Sequence, residues 1–185
     1  MTGLDEALLR ELADKQAIRE AVLRYCRGID RIDLDLVRST YHPDGIDHHT
    51  GFDGTVDEFV AWVGPALRHL DGTMHVVGNH LAEVVGDVAV AETYGTAVHW
   101  GQPADDPRRN FTSGFRYVDH FERRDGVWAV VERFAVREWT HDDAAVRRDR
   151  EAPGPAGRRD GHDVVQDLLG RLRAGELARS RQPGA

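Results

Sequence analysis

The sequence NFTSGFRYVDHFERRDGVWAVVERFAVREWTH, residues 110–141, decides the fold of this chain. The dipeptide Asp125-Gly126 near its middle favours a two-residue hairpin turn, because both residue types tolerate the backbone conformation that such turns require. The segments on either side, Asn110–Arg124 and Val127–His141, are rich in β-branched and aromatic residues. They are therefore predicted to form two long antiparallel strands.

The same pattern occurs one step earlier along the chain. Thr73–Val85 and Asp87–Trp100 have the same strand-like composition, and Gly86-Asp87 separates them by a tight turn. The sequence from Thr73 to His141 therefore predicts four long antiparallel strands.

The N-terminal part of the chain carries a helical pattern. Apolar residues at intervals of three and four predict an amphipathic helix from about residue 4 to residue 28. A second helix is expected over Leu34–Tyr41, because Asp33 is a good N-cap residue and the His42-Pro43 step disfavours further helix.

A short strand and a third helix follow. Asp44–His49 is expected to be extended, and Thr55 precedes Glu58 at the spacing of a capping box, followed by apolar residues at helical intervals. The prediction is an α+β domain, a cone-shaped α+β barrel in which three N-terminal helices pack on a curved, mostly antiparallel sheet. The layers are expected to enclose a pocket that suits a small molecule.

The chain changes character after residue 142. Residues 1–142 are predicted to form the α+β domain, and residues 143–185 a charged, Pro- and Gly-containing C-terminal tail with a candidate helix from Asp163 to Leu177. Two interpretations of the tail stay open: it covers the pocket or a partner, or it is a mobile surface extension.

Composition argues against several classes of protein. The net charge of −8 argues against nucleic-acid binding, which needs clustered basic residues. Cys26 is the single cysteine, so no disulfide can form within the chain. The N-terminus is charged and no apolar stretch reaches about 18 residues, so neither a signal peptide nor a membrane span is expected, and a cytoplasmic location follows by default.

Three polar residues are the best candidates for chemistry. Tyr25 and Asp30 lie near the end of the first helix, and His75 opens a strand. Imidazole can take up a proton near neutral pH, and a carboxylate can orient it. The structural alternatives are a core role for Tyr25, a turn role for Asp30 and a ring bonded to backbone for His75; Asp33 is favoured over Asp30 as the helix cap.

A second polar cluster comprises His42, Asp47, His48 and His49. It looks like a metal-ligand set, but neighbouring strand residues point to opposite faces, so His48 and His49 cannot readily share one ion. Neither a metal nor an organic cofactor is expected.

Several blocks of sequence carry a family resemblance: Tyr25–Asp33, Tyr41–Asp44, Thr73–Asn79, and Arg116–Asp119 continuing through Asp125–Trp128 to Glu132-Arg133. Together they resemble the SnoaL-like branch of the nuclear transport factor 2-like superfamily, over about residues 10–142. That superfamily includes dehydratases, dehydrochlorinases, isomerases and polyketide cyclases, and also non-catalytic proteins. The resemblance therefore implies the fold more directly than a reaction.

The resemblance implies four catalytic positions. In dehydratase and dehydrochlorinase members an aspartate after the first helix pairs with a histidine on the sheet, and Asp30 and His75 match them. Some dehydratases also have a tyrosine before that aspartate and an arginine on the last strand, matched by Tyr25 and Arg133. His75 would act as base oriented by Asp30, Tyr25 would donate a proton, and Arg133 would stabilise developing charge or bind a substrate acid.

Other candidate residues are less constrained. Strand alternation puts Arg133 on the face opposite Trp128 and Val130, so a surface salt bridge remains an alternative. His48 lies where some family members have a tyrosine that holds a water, and His99 lies near the place of a second histidine. The candidate substrate contacts are His48, His99, Trp62 and Phe115, the two aromatic residues being equally compatible with a plain core role.

Together these inferences predict a cofactor-independent dehydratase or isomerase-type lyase that acts on a hydrophobic cyclic or polyketide-like molecule, with His75 as the base. An aldol cyclase is the alternative among enzymes, and a non-catalytic small-molecule-binding or dimerisation module is the alternative from another class. A homodimer or higher homo-oligomer is expected, because the hydrophobic outer face of such sheets often pairs with a second copy.

Overall fold

Helices and strands alternate along the N-terminal part of the chain before a run of long strands. The computed structural model describes residues 6–101, 110–142 and 158–174. The elements are α1 (Glu6–Arg31), α2 (Leu34–Arg38), β1 (Tyr41–His49), β2 (Phe52–Thr55), α3 (Val56–Arg68), β3 (Leu70–Val85), β4 (Val88–Gly101), β5 (Phe111–Arg124), β6 (Val127–Asp142) and α4 (Val164–Arg173).

The chain divides into two compact units, Met1–Arg148 and Asp149–Ala185. The second unit contains α4, which begins after Asp163; the Asp163 side chain accepts a hydrogen bond from the backbone of Val165. The last residues of the candidate helix that ended at Leu177 lie outside the described residues. None of the helices in the described part of the chain combines the length and apolar character needed to cross a bilayer.

The predicted helices are present, with different ends. α1 continues to Arg31, so Asp30 belongs to its last turn. Asp33 caps α2 by accepting a hydrogen bond from the Leu36 amide at 3.0 Å, as predicted. α2 ends at Arg38 rather than at Tyr41, because Tyr41 is already paired with Val130 of β6, a long-range contact without a local signature.

The capping box of α3 is confirmed. The Thr55 hydroxyl accepts a hydrogen bond from the Glu58 amide, and the Glu58 carboxylate accepts one from the Thr55 amide at 2.9 Å. The strand β2 that precedes this box was not predicted, because its four residues are too short and polar for a periodic pattern.

The six strands form one sheet in the order β2-β1-β6-β5-β4-β3. All neighbours are antiparallel except β1 and β6, which are parallel. Asp125 and Gly126 have φ values of 52° and 80°, as the predicted tight hairpin turn requires. The mostly antiparallel α+β cone is thus confirmed, with α1 and α3 packed against its sheet.

A β-bulge in β6 changes which residues face the helices. Phe121 pairs with Val130, but His120 pairs with Glu132, so Val131 is the extra residue. Trp128 and Val130 are buried before the bulge, and Arg133 is buried after it. The surface salt bridge considered for Arg133 is therefore wrong, because the bulge reverses the strand alternation on which that alternative depended.

Arg133 occupies the base of the cone in a fully buried ion pair. Its Nε and Nη2 each donate a hydrogen bond of 2.7 Å to Asp119 on the neighbouring strand. Its guanidinium carbon lies 4.1 Å and 4.3 Å from the ring centres of Tyr25 and Tyr117, a cation–π arrangement. Burial lowers the pKa of Arg133, but the charge and hydrogen bonds of Asp119 together with the nearby hydroxyls of Tyr41 and Tyr25 outweigh it, and the net direction is upward, so the guanidinium stays charged.

We expect Asp119→Asn to lower the free energy of unfolding by about 3–5 kcal/mol, because it leaves the Arg133 charge buried without a counter-charge. Replacing both residues, as Asp119→Leu with Arg133→Met, should recover most of that loss. Urea unfolding measures both effects. Arg116→Gln is the control: its ion pairs with Glu92 and Glu138 are solvent-accessible and should contribute less than about 1 kcal/mol. A loss below 1 kcal/mol for Asp119→Asn would contradict the dependence of the fold on this pair.

Candidate functional site

The last turn of α1 brings a carboxylate against the start of β3. The Asp30 carboxylate accepts three hydrogen bonds, from the Thr73 hydroxyl at 3.0 Å, the His75 amide at 2.9 Å and the His75 ring Nδ1 at 2.7 Å. These bonds hold the carboxylate and orient the imidazole. Because Nδ1 is engaged by Asp30, Nε2 is the ring nitrogen that can meet a substrate.

The His75 ring lies on the wall of a cavity of about 330 Å³ between the helices and the sheet. That volume is at the lower end of the range for sites that hold drug-sized ligands. Gly95 makes room for its floor: a Cβ there would lie 2.4 Å from the Phe115 ring. The apolar lining includes Ile29, Phe59, Trp62, Val63, Leu67, Phe111, Phe115 and Ala135, and the polar lining comprises Tyr25, His49, Thr50, His75, His99, Ser113, Tyr117 and Arg137.

A second histidine–aspartate pair meets the same cavity through its histidine. His49 Nδ1 is hydrogen-bonded to the carboxylate of Asp47, which is fully buried and also accepts a hydrogen bond from the Tyr41 hydroxyl. His49 Nε2 lies 3.3 Å from the Tyr25 hydroxyl, and both residues line the cavity. Tyr25 therefore meets the cavity with the imidazole of His49 as its hydrogen-bond partner.

Tyr25 is buried among aromatic rings. Its ring is edge-on to Tyr117 and stacked on Phe59, at centroid distances of 5.5 and 6.3 Å. Burial, and next the charge of Asp47, raise the pKa of Tyr25 well above its ordinary value. The hydroxyl is therefore protonated at neutral pH and can act as a hydrogen-bond or proton donor.

His99 is a neutral polar group on the wall next to His75. Its ring stacks on Phe111 at 4.2 Å, and the ring of His75 is 6.1 Å away. Burial, and next the charge of His75, lower the pKa of His99 to about 4. Its Nδ1 is buried without a hydrogen-bond partner among the described residues.

The structure brings six of the eight predicted site residues to the cavity. Those that line the cavity are Tyr25, His75, His99, Trp62 and Phe115, and Asp30 lies directly behind His75. Arg133 is outside the lining, held by Asp119 beneath the tyrosine rings, so it is not positioned to bind a substrate acid directly.

His48 does not line the cavity, contrary to the prediction. Its ring lies 2.8 Å from the Asp53 carboxylate and 3.2 Å from that of Glu132, and it stacks on Phe134. Successive residues of β1 point to opposite faces, and the register of β1 against β6 puts His49 on the cavity side.

Five polar residues of the cavity were not among the predicted site residues: His49, Thr50, Ser113, Tyr117 and Arg137. His49 and Asp47 share a face of β1 because they are two residues apart, and that spacing was an available signal. Among the described residues, no group of three or more His, Cys, Asp or Glu side chains is arranged to hold a metal ion.

Comparison with known proteins decides the family. A model of the SnoaL-like domain matches residues 10–134. The chain belongs to the SnoaL-like family. An uncharacterized protein of Mycobacterium tuberculosis strain H37Rv is 26% identical to this SnoaL-like protein over 141 residues, which cover 72% of this chain and 93% of the relative.

Solved structures with the same fold include two kinds of protein with named reactions. A hexachlorocyclohexane dehydrochlorinase from Novosphingobium barchaimii LL02 is 17% identical, with a TM-score of 0.67, over 76% of this SnoaL-like protein and 97% of that chain. A proposed scytalone dehydratase from Novosphingobium aromaticivorans DSM 12444 is 19% identical, with a TM-score of 0.65, over 74% and 91% of the two chains. These similarities show a common fold.

We expect the neutral His99 to make the folded SnoaL-like protein sensitive to acid. Between its ordinary pKa of 6.5 and about 4, the unfolded chain binds a proton at His99 and the folded chain does not. The free energy of unfolding should therefore fall as pH decreases through this range, by at most about 3 kcal/mol from this residue.

The variant His99→Gln should lose this component, so its stability relative to the parent should rise as pH falls. Urea unfolding at a series of pH values measures the difference. His141→Gln, which changes an exposed histidine of β6, is the control. A parallel pH dependence of His99→Gln and the parent would contradict the prediction.

Proposed function

We propose that this SnoaL-like protein is a cofactor-independent lyase or isomerase that removes a proton from a hydrophobic cyclic or polyketide-like molecule, followed by loss of water or a double-bond shift. The observation that carries the proposal is the Asp30–His75 pair at 2.7 Å on the wall of a largely apolar cavity. A base with one ring nitrogen held by a carboxylate and the other available to a ligand is suited to abstract a proton next to a carbonyl.

His75 is the proposed base. Asp30 fixes its tautomer and stabilises the imidazolium that forms when Nε2 takes the proton. The side chains of His75 and Asp30 are 7% and 13% exposed, so their attraction is only weakly screened by water. A positioned acid or base of this kind contributes about 10² to 10⁴ in rate.

Tyr25 is the proposed proton donor. Its protonated hydroxyl can donate to a departing hydroxyl group or to a carbonyl oxygen that becomes negative. Tyr25 regains its proton from His49 once the ring of His49 has taken one up from solvent, because Asp47 stabilises the doubly protonated ring and its Nε2–H then faces the Tyr25 oxygen. Arg133, beneath the Tyr25 ring, acts as a positioning residue whose charge favours negative charge on the oxygen above.

The walls of the cavity favour a hydrophobic ring system. Phe59, Trp62 and Phe115 supply flat apolar surface, and about 330 Å³ accommodates a molecule of one or a few rings. The dehydrochlorinase neighbour, by its name an enzyme of HCl elimination, supports elimination as one reaction of this fold. The same acid and base would also serve an intramolecular aldol closure, and product analysis separates these outcomes.

We expect His75→Ala to lower turnover at least about 10²-fold while the affinity for the substrate stays nearly constant, because the base is lost and the apolar walls remain. Asp30→Asn should have a smaller effect in the same direction. The assay follows formation of the conjugated enone from a panel of cyclic β-hydroxyketones of one to three rings.

His48→Ala is the matched control, a histidine that lies outside the cavity lining. It should leave kcat and KM nearly unchanged. If the parent protein binds members of the panel but converts none of them, the proposal of an enzyme fails and a non-catalytic binding module is the better description.

We also propose a homodimer or higher homo-oligomer through the outer face of the sheet. Met74 and Val76 of β3, Val90 and Tyr94 of β4, and Phe134 of β6 are all more than 40% exposed. Exposed apolar groups that lie close together on one sheet face are typical of an interface.

We expect the parent to elute as a dimer or larger species in size-exclusion chromatography with light scattering. Val76→Arg together with Val90→Arg should shift it to a monomer, because charge at the centre of an apolar interface is costly. Leu23→Arg, which changes an exposed leucine of α1, is the control. A monomeric parent would refute the interface.

A further inference from the structure

Arg137 differs from the other arginines of β5 and β6. Each of those four forms an ion pair: Arg116 with Glu92 and Glu138, Arg123 with Asp14 and Asp87, Arg124 with Asp44 and Glu122, and Arg133 with Asp119. Arg137 has neither an ion pair nor a hydrogen bond among the described residues, and it lines the cavity. The cavity therefore has a cationic group whose charge no carboxylate of the described chain neutralises.

The remaining lining of the cavity contains no acidic side chain within the described residues. Asp30 and Asp47 are engaged behind His75 and His49, which present their rings to the cavity. A ligand therefore meets neutral or positive groups on every wall. Such a cavity favours a negatively charged molecule over a neutral one of the same shape.

We propose that Arg137 binds a carboxylate of the ligand, so that the substrates of this cavity are hydrophobic ring compounds that carry an acid group. This rests on the proposed function only in that the same cavity holds the reacting molecule. A carboxylate suits arginine because the planar guanidinium can donate two parallel hydrogen bonds to it.

The position of Arg137 agrees with this assignment. Arg133, Ala135 and Arg137 follow one another on the inner side of β6, with Arg133 buried at the base and Arg137 exposed at the other end. The small side chain of Ala135, which lines the cavity, leaves space between them. An anion at Arg137 would therefore remain partly hydrated, which limits the cost of desolvating it.

The register of the sheet relates this anion site to the proposed base. Arg137 pairs with Phe115, Phe115 with Gly95, and His75 with Ala97 of the same strand as Gly95. Three strand spacings, roughly 14 Å in total, separate β6 from β3 along the sheet. The inward side chains of Arg137 and His75 shorten this gap, so one or two rings over Phe115 can connect a bound carboxylate to a reacting carbon at His75.

The test uses ligand pairs that differ only in charge: 2-naphthoate with 2-naphthamide, and cinnamate with cinnamamide. Isothermal titration calorimetry on the full chain should give tighter binding of each carboxylate than of its amide. Arg137→Gln should weaken carboxylate binding about tenfold or more and leave amide binding nearly unchanged. Arg137→Lys should retain part of the preference, because the charge remains and the planar fork is lost.

Arg116→Gln is the matched control, since it removes an arginine that is already paired with two carboxylates. It should leave both affinities unchanged. The proposal is overturned if the parent binds carboxylate and amide equally, if neither carboxylate binds at millimolar concentration, or if Arg137→Gln weakens both members of a pair alike.

The outcome is separable from that of the proposed function. His75→Ala should still prefer carboxylates. A parent that prefers carboxylates but converts no substrate would therefore contradict the enzymatic proposal and leave the anion site supported. Turnover of neutral ketones with no preference for carboxylates would support the enzymatic proposal and contradict the anion site.

Discussion

The buried pair of Arg133 and Asp119 is the interaction on which the rest of the structure depends. Both side chains have no exposed surface, so the fold is stable only where these charges meet with good geometry. Satisfying them sets the register between β5 and β6 at the base of the cone. The bulge at Val131 is what turns Arg133 inward, and the rings of Tyr25 and Tyr117 enclose its guanidinium.

The polar groups of the cavity are arranged around this buried ion pair. In the register of the parallel strands β1 and β6, Asp47 lies opposite Arg133. This register brings His49, two residues further along β1, to the cavity beside Tyr25. On the opposite wall, Asp30 holds His75 through three hydrogen bonds. In both pairs the carboxylate stands behind the histidine, so the cavity itself presents imidazole, phenol and guanidinium groups to a ligand, and its walls are otherwise largely apolar.

Local signals in the sequence predicted much of the fold. Apolar residues at helical spacing predicted α1 and α3, the capping residues Asp33 and Thr55 predicted two helix starts, and Asp125-Gly126 predicted the hairpin. The wrong predictions concern features that depend on residues far away in the sequence. The end of α2 depends on the pairing of Tyr41 with Val130, and the orientation of Arg133 depends on the bulge at Val131.

The sequence by itself determined the element types, the α+β class and the family resemblance, because propensity, capping and turn chemistry act between residues close in the chain. It also drew attention to Asp30 and His75, which come together although 45 positions apart. Only the tertiary structure decided that His49 rather than His48 faces the cavity, that Arg133 is buried, and that Arg137 lines the cavity without an ion pair to any described residue. Those outcomes depend on strand register and a single inserted residue, and a shift of one residue exchanges the two faces of a strand.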